Sequence, residues 1–201
     1  MYVTIIIYSA LSFLLLFLFA KISYKLNLLD IPNKRKVHSK ATSYTGGLAI
    51  SVAYLCSLQL FDITNNNLNL ILSISFLIAI VGFIDDKYHL NPGGKLSLQI
   101  IPIFYLIIIE NMKIAQIGDY NYFSLSLDTF TIPFTLLCVL FLINACNYFD
   151  GIDGSLSFTL LSVIIILYFL TIDEEIRLFL TITLLPICIF LCFNFSLFNL
   201  P

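Results

Sequence analysis

Seven apolar runs separated by short polar segments divide the chain, at residues 3–20, 48–61, 68–84, 96–109, 130–143, 156–171 and 178–195. Each is near the length a helix needs to cross the hydrocarbon core of a bilayer, about 20 residues. The pattern predicts an all-α fold, a polytopic transmembrane helix bundle of about seven spans. The segment at 110–128 differs, with aromatic and alternating residues suited to a small external hairpin-like linker. The first run reads as a span and not as a cleaved signal peptide. Its positive charge follows the run, and no Ala-x-Ala-like site closes it.

Composition points to the same class. Hydrophobic residues make up 60% of the 201 and charged residues 11%, too little polar surface to coat a soluble globule. Residues 1–201 read as a single integral membrane domain. No basic nucleic-acid footprint is present, and the net charge of −2 says less than where the Lys and Arg residues sit. Six of the ten, Lys21, Lys25, Lys34, Arg35, Lys36 and Lys40, lie between the first two runs, and Lys87 and Lys95 lie between the third and fourth. Placing these eight in the cytoplasm puts the N-terminus outside and the chain end inside, with only Lys113 and Arg177 external. The five cysteines form no CxxC pair and read as small buried hydrophobes without disulfides.

Against this background residues 144–154, Asn-Ala-Cys-Asn-Tyr-Phe-Asp-Gly-Ile-Asp-Gly, stand out as a polar island between apolar runs. Amides and carboxylates beside a membrane segment are costly unless they face protein, water or a ligand, and their oxygens suit a hard divalent cation. Asn144, Asn147, Asp150 and Asp153 recur every third residue, which puts neighbours on one helix face. Gly151 and Gly154 predict a helix end near Asp150, leaving the later acid on a loop. Asn147 and Asp150 are the pair best placed to meet a metal or a phosphate-bearing substrate. The threading by basic residues takes no account of acids, yet it brings His38, Asp85, Asp86, Asn147, Asp150 and Asp153 to the cytoplasmic face. Any one of them alone reads equally as a group that caps a helix or contacts water.

Three motifs together resemble one family. They are Asp30-Ile31-Pro32-Asn33-Lys34-Arg35-Lys36-Val37-His38 with Gly46-Gly47-Leu48-Ala49-Ile50, Gly82-Phe83-Ile84-Asp85-Asp86 with Lys95 and Gln99, and the 144–154 stretch. Their order and spacing resemble the polyprenyl-phosphate N-acetylhexosamine-1-phosphate transferases, of the glycosyltransferase family 4 type. The chain is more similar to the undecaprenyl-phosphate GlcNAc-1-phosphate branch than to the phospho-MurNAc-pentapeptide translocases.

The resemblance implies transfer of a sugar-1-phosphate from a UDP-sugar to a membrane polyprenyl phosphate, with release of UMP and a requirement for Mg²⁺ or, alternatively, Mn²⁺. It implies Asp85, Asp86, Asp150 and Asp153 as catalytic, His38, Lys95, Asn144, Gly46 and Gly47 as substrate-binding, and Asn147 with Asp150 at the metal. It also implies the bacterial inner membrane with a cytoplasmic active face, and is compatible with a homodimer. The chemistry needs neutralised phosphate charge and two anions held in line. A general base adds little, because a phosphate monoester has a second pKa of about 6 and an ordinary Asp one of about 4. Positioning is the expected work of Asp85 and Asp86.

Two departures from the family pattern stand out. Residues 41–45, Ala-Thr-Ser-Tyr-Thr, lack the prolines usual between the His and the Gly-Gly pair, and the sequence stops where a Met-Gly-Asp-x-Gly-Ser-type motif should follow. The expectation is a C-terminally truncated member, the N-terminal part of a longer domain and inactive alone. A transporter or channel coupled through acidic residues, and a non-catalytic membrane subunit, are the other classes. The acids lie at helix ends and not at the bilayer midplane, and no internal repeat is evident, which favours the enzyme.

Overall fold

The computed structural model describes residues 1–30, 42–120, 123–149 and 154–194. Among them seven α-helices stand where the seven apolar runs lie: α1 (Tyr2–Lys25), α2 (Gly46–Leu60), α3 (Asn66–Tyr88), α4 (Pro92–Ile108), α5 (Thr131–Phe149), α6 (Ser155–Leu170) and α7 (Glu174–Asn194). Four stretches, Tyr2–Lys25, Asn66–Tyr88, Asp128–Phe149 and Glu174–Asn194, are long and apolar enough to cross a membrane, whereas α2, α4 and α6 are shorter apolar helices. The fold is that of an all-α membrane bundle. The alternating segment forms an antiparallel hairpin, β3 (Gln116–Tyr120) with β4 (Phe123–Ser126). A second antiparallel pair, β1 (Leu29–Asp30) with β2 (Thr42–Ser43), has only two residues a side and no pattern that foretells it.

Several helices outrun the apolar runs that predicted them. α1 continues through Lys25, α3 through Tyr88 and α5 through Phe149, because backbone hydrogen bonding extends a helix past the last apolar residue until a stop signal intervenes. The stops are local: Asn27 and His89 adopt left-handed backbone, with φ of 53° and 51°. Lys21 lays its ammonium 4.5 Å from the centroid of the Phe17 ring, the posture of a cation at the end of an apolar helix.

The chain divides into two compact units, residues 1–89 with 149–201, and residues 90–148. In the first, α2 presents Ala49, Ala53 and Ser57 at four-residue steps, all buried. Small side chains let helix backbones approach closely, which is how helices pack without a hydrophobic driving force between them. Around them a core gathers Tyr8, Ala53, Phe61, Ile63, Leu72 and Ile182, with the Tyr8 and Phe61 rings edge-on at 5.4 Å. Thr64, in the α2–α3 link, hydrogen-bonds to the Glu175 carboxylate at the start of α7. Thr45, just before α2, donates from its hydroxyl to the Phe19 carbonyl near the far end of α1, at 3.0 Å. The Thr64–Glu175 bond thus joins two links that the alternating threading assigns to one side.

In the second unit Asn91 opens α4, its side chain accepting from the Gly94 N–H at 2.6 Å with Pro92 in the first turn. The linker is tied to α5 by the Ile114 N–H, which donates to the Thr135 hydroxyl at 3.0 Å, and that hydroxyl donates on to the Thr131 carbonyl.

Candidate functional site

Within the first unit, Asp85 is half-buried and Asp86 exposed, both in the last turn of α3, and each interacts with other groups of the chain. The helix closes on His89, whose N–H donates to the Asp85 carbonyl at 2.7 Å. A helix C-terminus carries partial negative charge, to which the two carboxylates add and which Lys87 in the same turn partly offsets.

Gly46 and Gly47, read from sequence as a pair, have different surroundings at the head of α2. A Cβ on Gly46 would lie 2.6 Å from Cε2 of Phe190 on α7, whereas one on Gly47 would meet nothing within 4 Å. Packing therefore accounts for the first glycine and not for the second. His38 lies outside the described residues.

In the second unit, Lys95 is half-buried in the first turn of α4, and Gln99 follows one turn later, 3% exposed. Gln99 accepts at Oε1 from the Asn144 side-chain amide on α5 at 3.0 Å, and the same amide nitrogen donates to the Leu140 carbonyl at 2.8 Å. Asn147, one turn further along α5, is exposed. The structure thus joins α4 and α5 through a pair of amides, of which sequence analysis assigned a role only to Asn144. The signal for Gln99 was present, a lone amide in an apolar run. Asp150 and Asp153 lie outside the described residues; Gly154, at φ 79°, caps the start of α6 in a conformation that favours glycine.

Among the described residues no group of three or more His, Cys, Asp or Glu side chains gathers. Each unit by itself offers oxygens of the hard type that Mg²⁺ takes, the first the carboxylates of Asp85 and Asp86 and the second the amide of Asn147. All five cysteines are free and half-buried.

The profile of glycosyl transferase family 4 matches residues 68–199. The chain belongs to glycosyl transferase family 4. The matched region of this family 4 chain contains Asp85, Asp86, Lys95, Asn144, Asn147, Asp150 and Asp153, while His38, Gly46 and Gly47 precede it. A Bacillus subtilis protein named "Probable undecaprenyl-phosphate N-acetylglucosaminyl 1-phosphate transferase" is 30% identical over 142 residues, 67% of this chain and 38% of that protein. The Escherichia coli K12 protein named undecaprenyl-phosphate alpha-N-acetylglucosaminyl 1-phosphate transferase is 26% identical over 144 residues, 71% of this chain and 39% of that protein. A Yersinia pestis protein of the same name is 30% identical over 149 residues, 72% of this chain and 40% of its own length. The family 4 chain thus spans about 40% of the length of these relatives. No solved structure matches it significantly. Its bacterial relatives and apolar helices mark it as a bacterial membrane protein.

Proposed function

We propose that the protein transfers GlcNAc-1-phosphate from UDP-GlcNAc to undecaprenyl phosphate at the cytoplasmic face of the bacterial inner membrane, initiating assembly of a cell-envelope glycan. The observation that carries this reading is the family 4 match over the segment holding Asp85-Asp86, Lys95 and the 144–154 stretch, joined to relatives named for that reaction. An oxygen of the lipid phosphate bonds to the phosphorus that bears the sugar, the bridging P–O bond breaks, and its oxygen leaves on UMP.

Asn147 and Asp150 would hold a divalent metal, which when bound would supply neutralisation of phosphate charge. The chain's own groups supply the rest. Lys95 offers a positive charge to a phosphate, and Asn144 and Gly47 contact the nucleotide sugar. Asp85 and Asp86, in the last turn of α3, act as positioning groups for the lipid phosphate and not as proton acceptors, because a phosphate monoester is already largely ionised at neutral pH. Asp153 and His38 complete the binding surface.

The test is release of UMP and formation of lipid-linked product by the complete protein in membranes supplied with UDP-GlcNAc and undecaprenyl phosphate. Asp85→Asn and Asp150→Asn should each lower turnover by about a hundredfold or more. No turnover by the parent protein, or unchanged turnover in both variants, overturns the proposal; an altered ion flux in them would favour transport.

A further inference from the structure

The amide pair on α4 and α5 has an orientation that follows from hydrogen-bond chemistry alone. The Leu140 carbonyl only accepts, so the Asn144 atom facing it is the NH₂; the same nitrogen faces Gln99, so the Gln99 atom there is its carbonyl oxygen. Both amide protons of Asn144 are thereby used. Its Oδ1 accepts no bond among the described residues, and it remains the one polar atom of that side chain with capacity to spare.

Gln99 itself is 3% exposed, and its own NH₂ makes no bond among the described residues. A buried donor without a partner opposes folding, and a Leu in this apolar stretch would avoid that cost. A polar group kept where it weakens the fold points to work done elsewhere.

Building on the transferase reading above, we propose that Gln99 is a positioning residue. It occupies the second amide proton of Asn144, so that Asn144 meets its ligand only as an acceptor. The ligand group is then one that a carbonyl oxygen can bind, either a hydroxyl or amide N–H of the nucleotide sugar, or a hard cation. It is not a phosphate oxygen, which would need the protons that Gln99 and Leu140 already hold.

The complete protein is compared with Gln99→Leu, Gln99→Glu, Asn144→Ala and the double variant Gln99→Leu/Asn144→Ala. The readouts are steady-state kinetics with UDP-GlcNAc, thermal unfolding in detergent, and Mn²⁺ binding by electron paramagnetic resonance without nucleotide. Gln99→Leu should keep or raise the melting temperature while losing about tenfold in kcat/KM. Gln99→Glu, which retains an acceptor oxygen, should recover most of that loss, and the double variant should be no worse than Asn144→Ala. Weaker Mn²⁺ binding in Gln99→Leu and Asn144→Ala identifies the ligand as the cation; unchanged Mn²⁺ binding with a raised KM identifies the sugar. Full activity in Gln99→Leu, an activity loss matched by a lower melting temperature, or additive losses in the double variant would each overturn the proposal. An inactive parent protein removes the transferase reading and this inference with it, whereas an active parent with an indifferent Gln99→Leu removes only the inference.

Discussion

The Tyr8 hydroxyl on α1 donates to the Ile182 carbonyl on α7 at 3.2 Å, and both residues are fully buried. In a regular helix that carbonyl would accept from the N–H four residues on, but residue 186 is Pro and has none. A tyrosine from another helix thus fills the place that Pro186 leaves empty. Tyr54 on α2 donates to the adjacent Thr183 carbonyl at 3.1 Å. Two neighbouring helices therefore hold the proline-bearing segment of α7.

Tyr8→Phe should destabilise the protein by about 1–3 kcal/mol, the cost of a buried acceptor without a partner. Tyr54→Phe should cost less, about 0.5–1.5 kcal/mol, since the Ile187 N–H is still available to the Thr183 carbonyl. Pro186→Ala restores an N–H for Ile182, so its combination with Tyr8→Phe should cost less than Tyr8→Phe alone. Unfolding in detergent micelles measures all three.

The glycines at the head of α2 should part company. Gly46→Ala drives a methyl into the Phe190 ring and should cost about 1–3 kcal/mol, with Phe190→Leu recovering part of the loss. Gly47→Ala meets no obstacle and gains helix propensity, so it should raise stability by about 0.5–1 kcal/mol. A more stable Gly47→Ala protein that loses turnover would show that a ligand approaches the bare backbone there, while full turnover would remove Gly47 from the binding surface.

Asn91→Ala strips the side-chain acceptor from the Gly94 N–H and should weaken the first turn of α4 by about 1 kcal/mol, whereas Asn91→Asp should retain the cap. Hydrogen exchange at residues 93–95 reads the difference directly, as faster exchange in the Ala variant alone.

The N-terminus-out topology expected from the placement of the basic residues makes a sided prediction. In a background freed of the five native cysteines, single cysteines at Asn66 and Asp173 should react with a membrane-impermeant thiol reagent added to intact cells. A cysteine at His89 should react only after the membrane is opened. The opposite pattern would invert the assignment of every site residue to the cytoplasm.

Much of the architecture was legible because the bilayer imposes a coarse rule, a long apolar stretch for every crossing. The seven runs located the seven helices, and the alternating aromatic segment located the β3–β4 hairpin. Less legible was where each helix stops. α3 carries Asp85 and Asp86 inside its last turn and α5 carries both Asn144 and Asn147, because hydrogen bonding to the preceding turn continues regardless of polarity. The β1–β2 pair was invisible, its four residues being too few to leave a pattern.

By itself the sequence determined the class of the protein, the order of its helices and the polar stretch that carries the candidate chemistry, since these depend on residue type and spacing along one dimension. Only the tertiary structure decided that Gly46 answers to Phe190 and Gly47 to nothing, that Tyr8 compensates for Pro186, and that Gln99 turns Asn144 into an acceptor. Each of those joins residues at least 45 positions apart, and what a glycine, a tyrosine or an amide does in a helix depends on which neighbour packing brings to it.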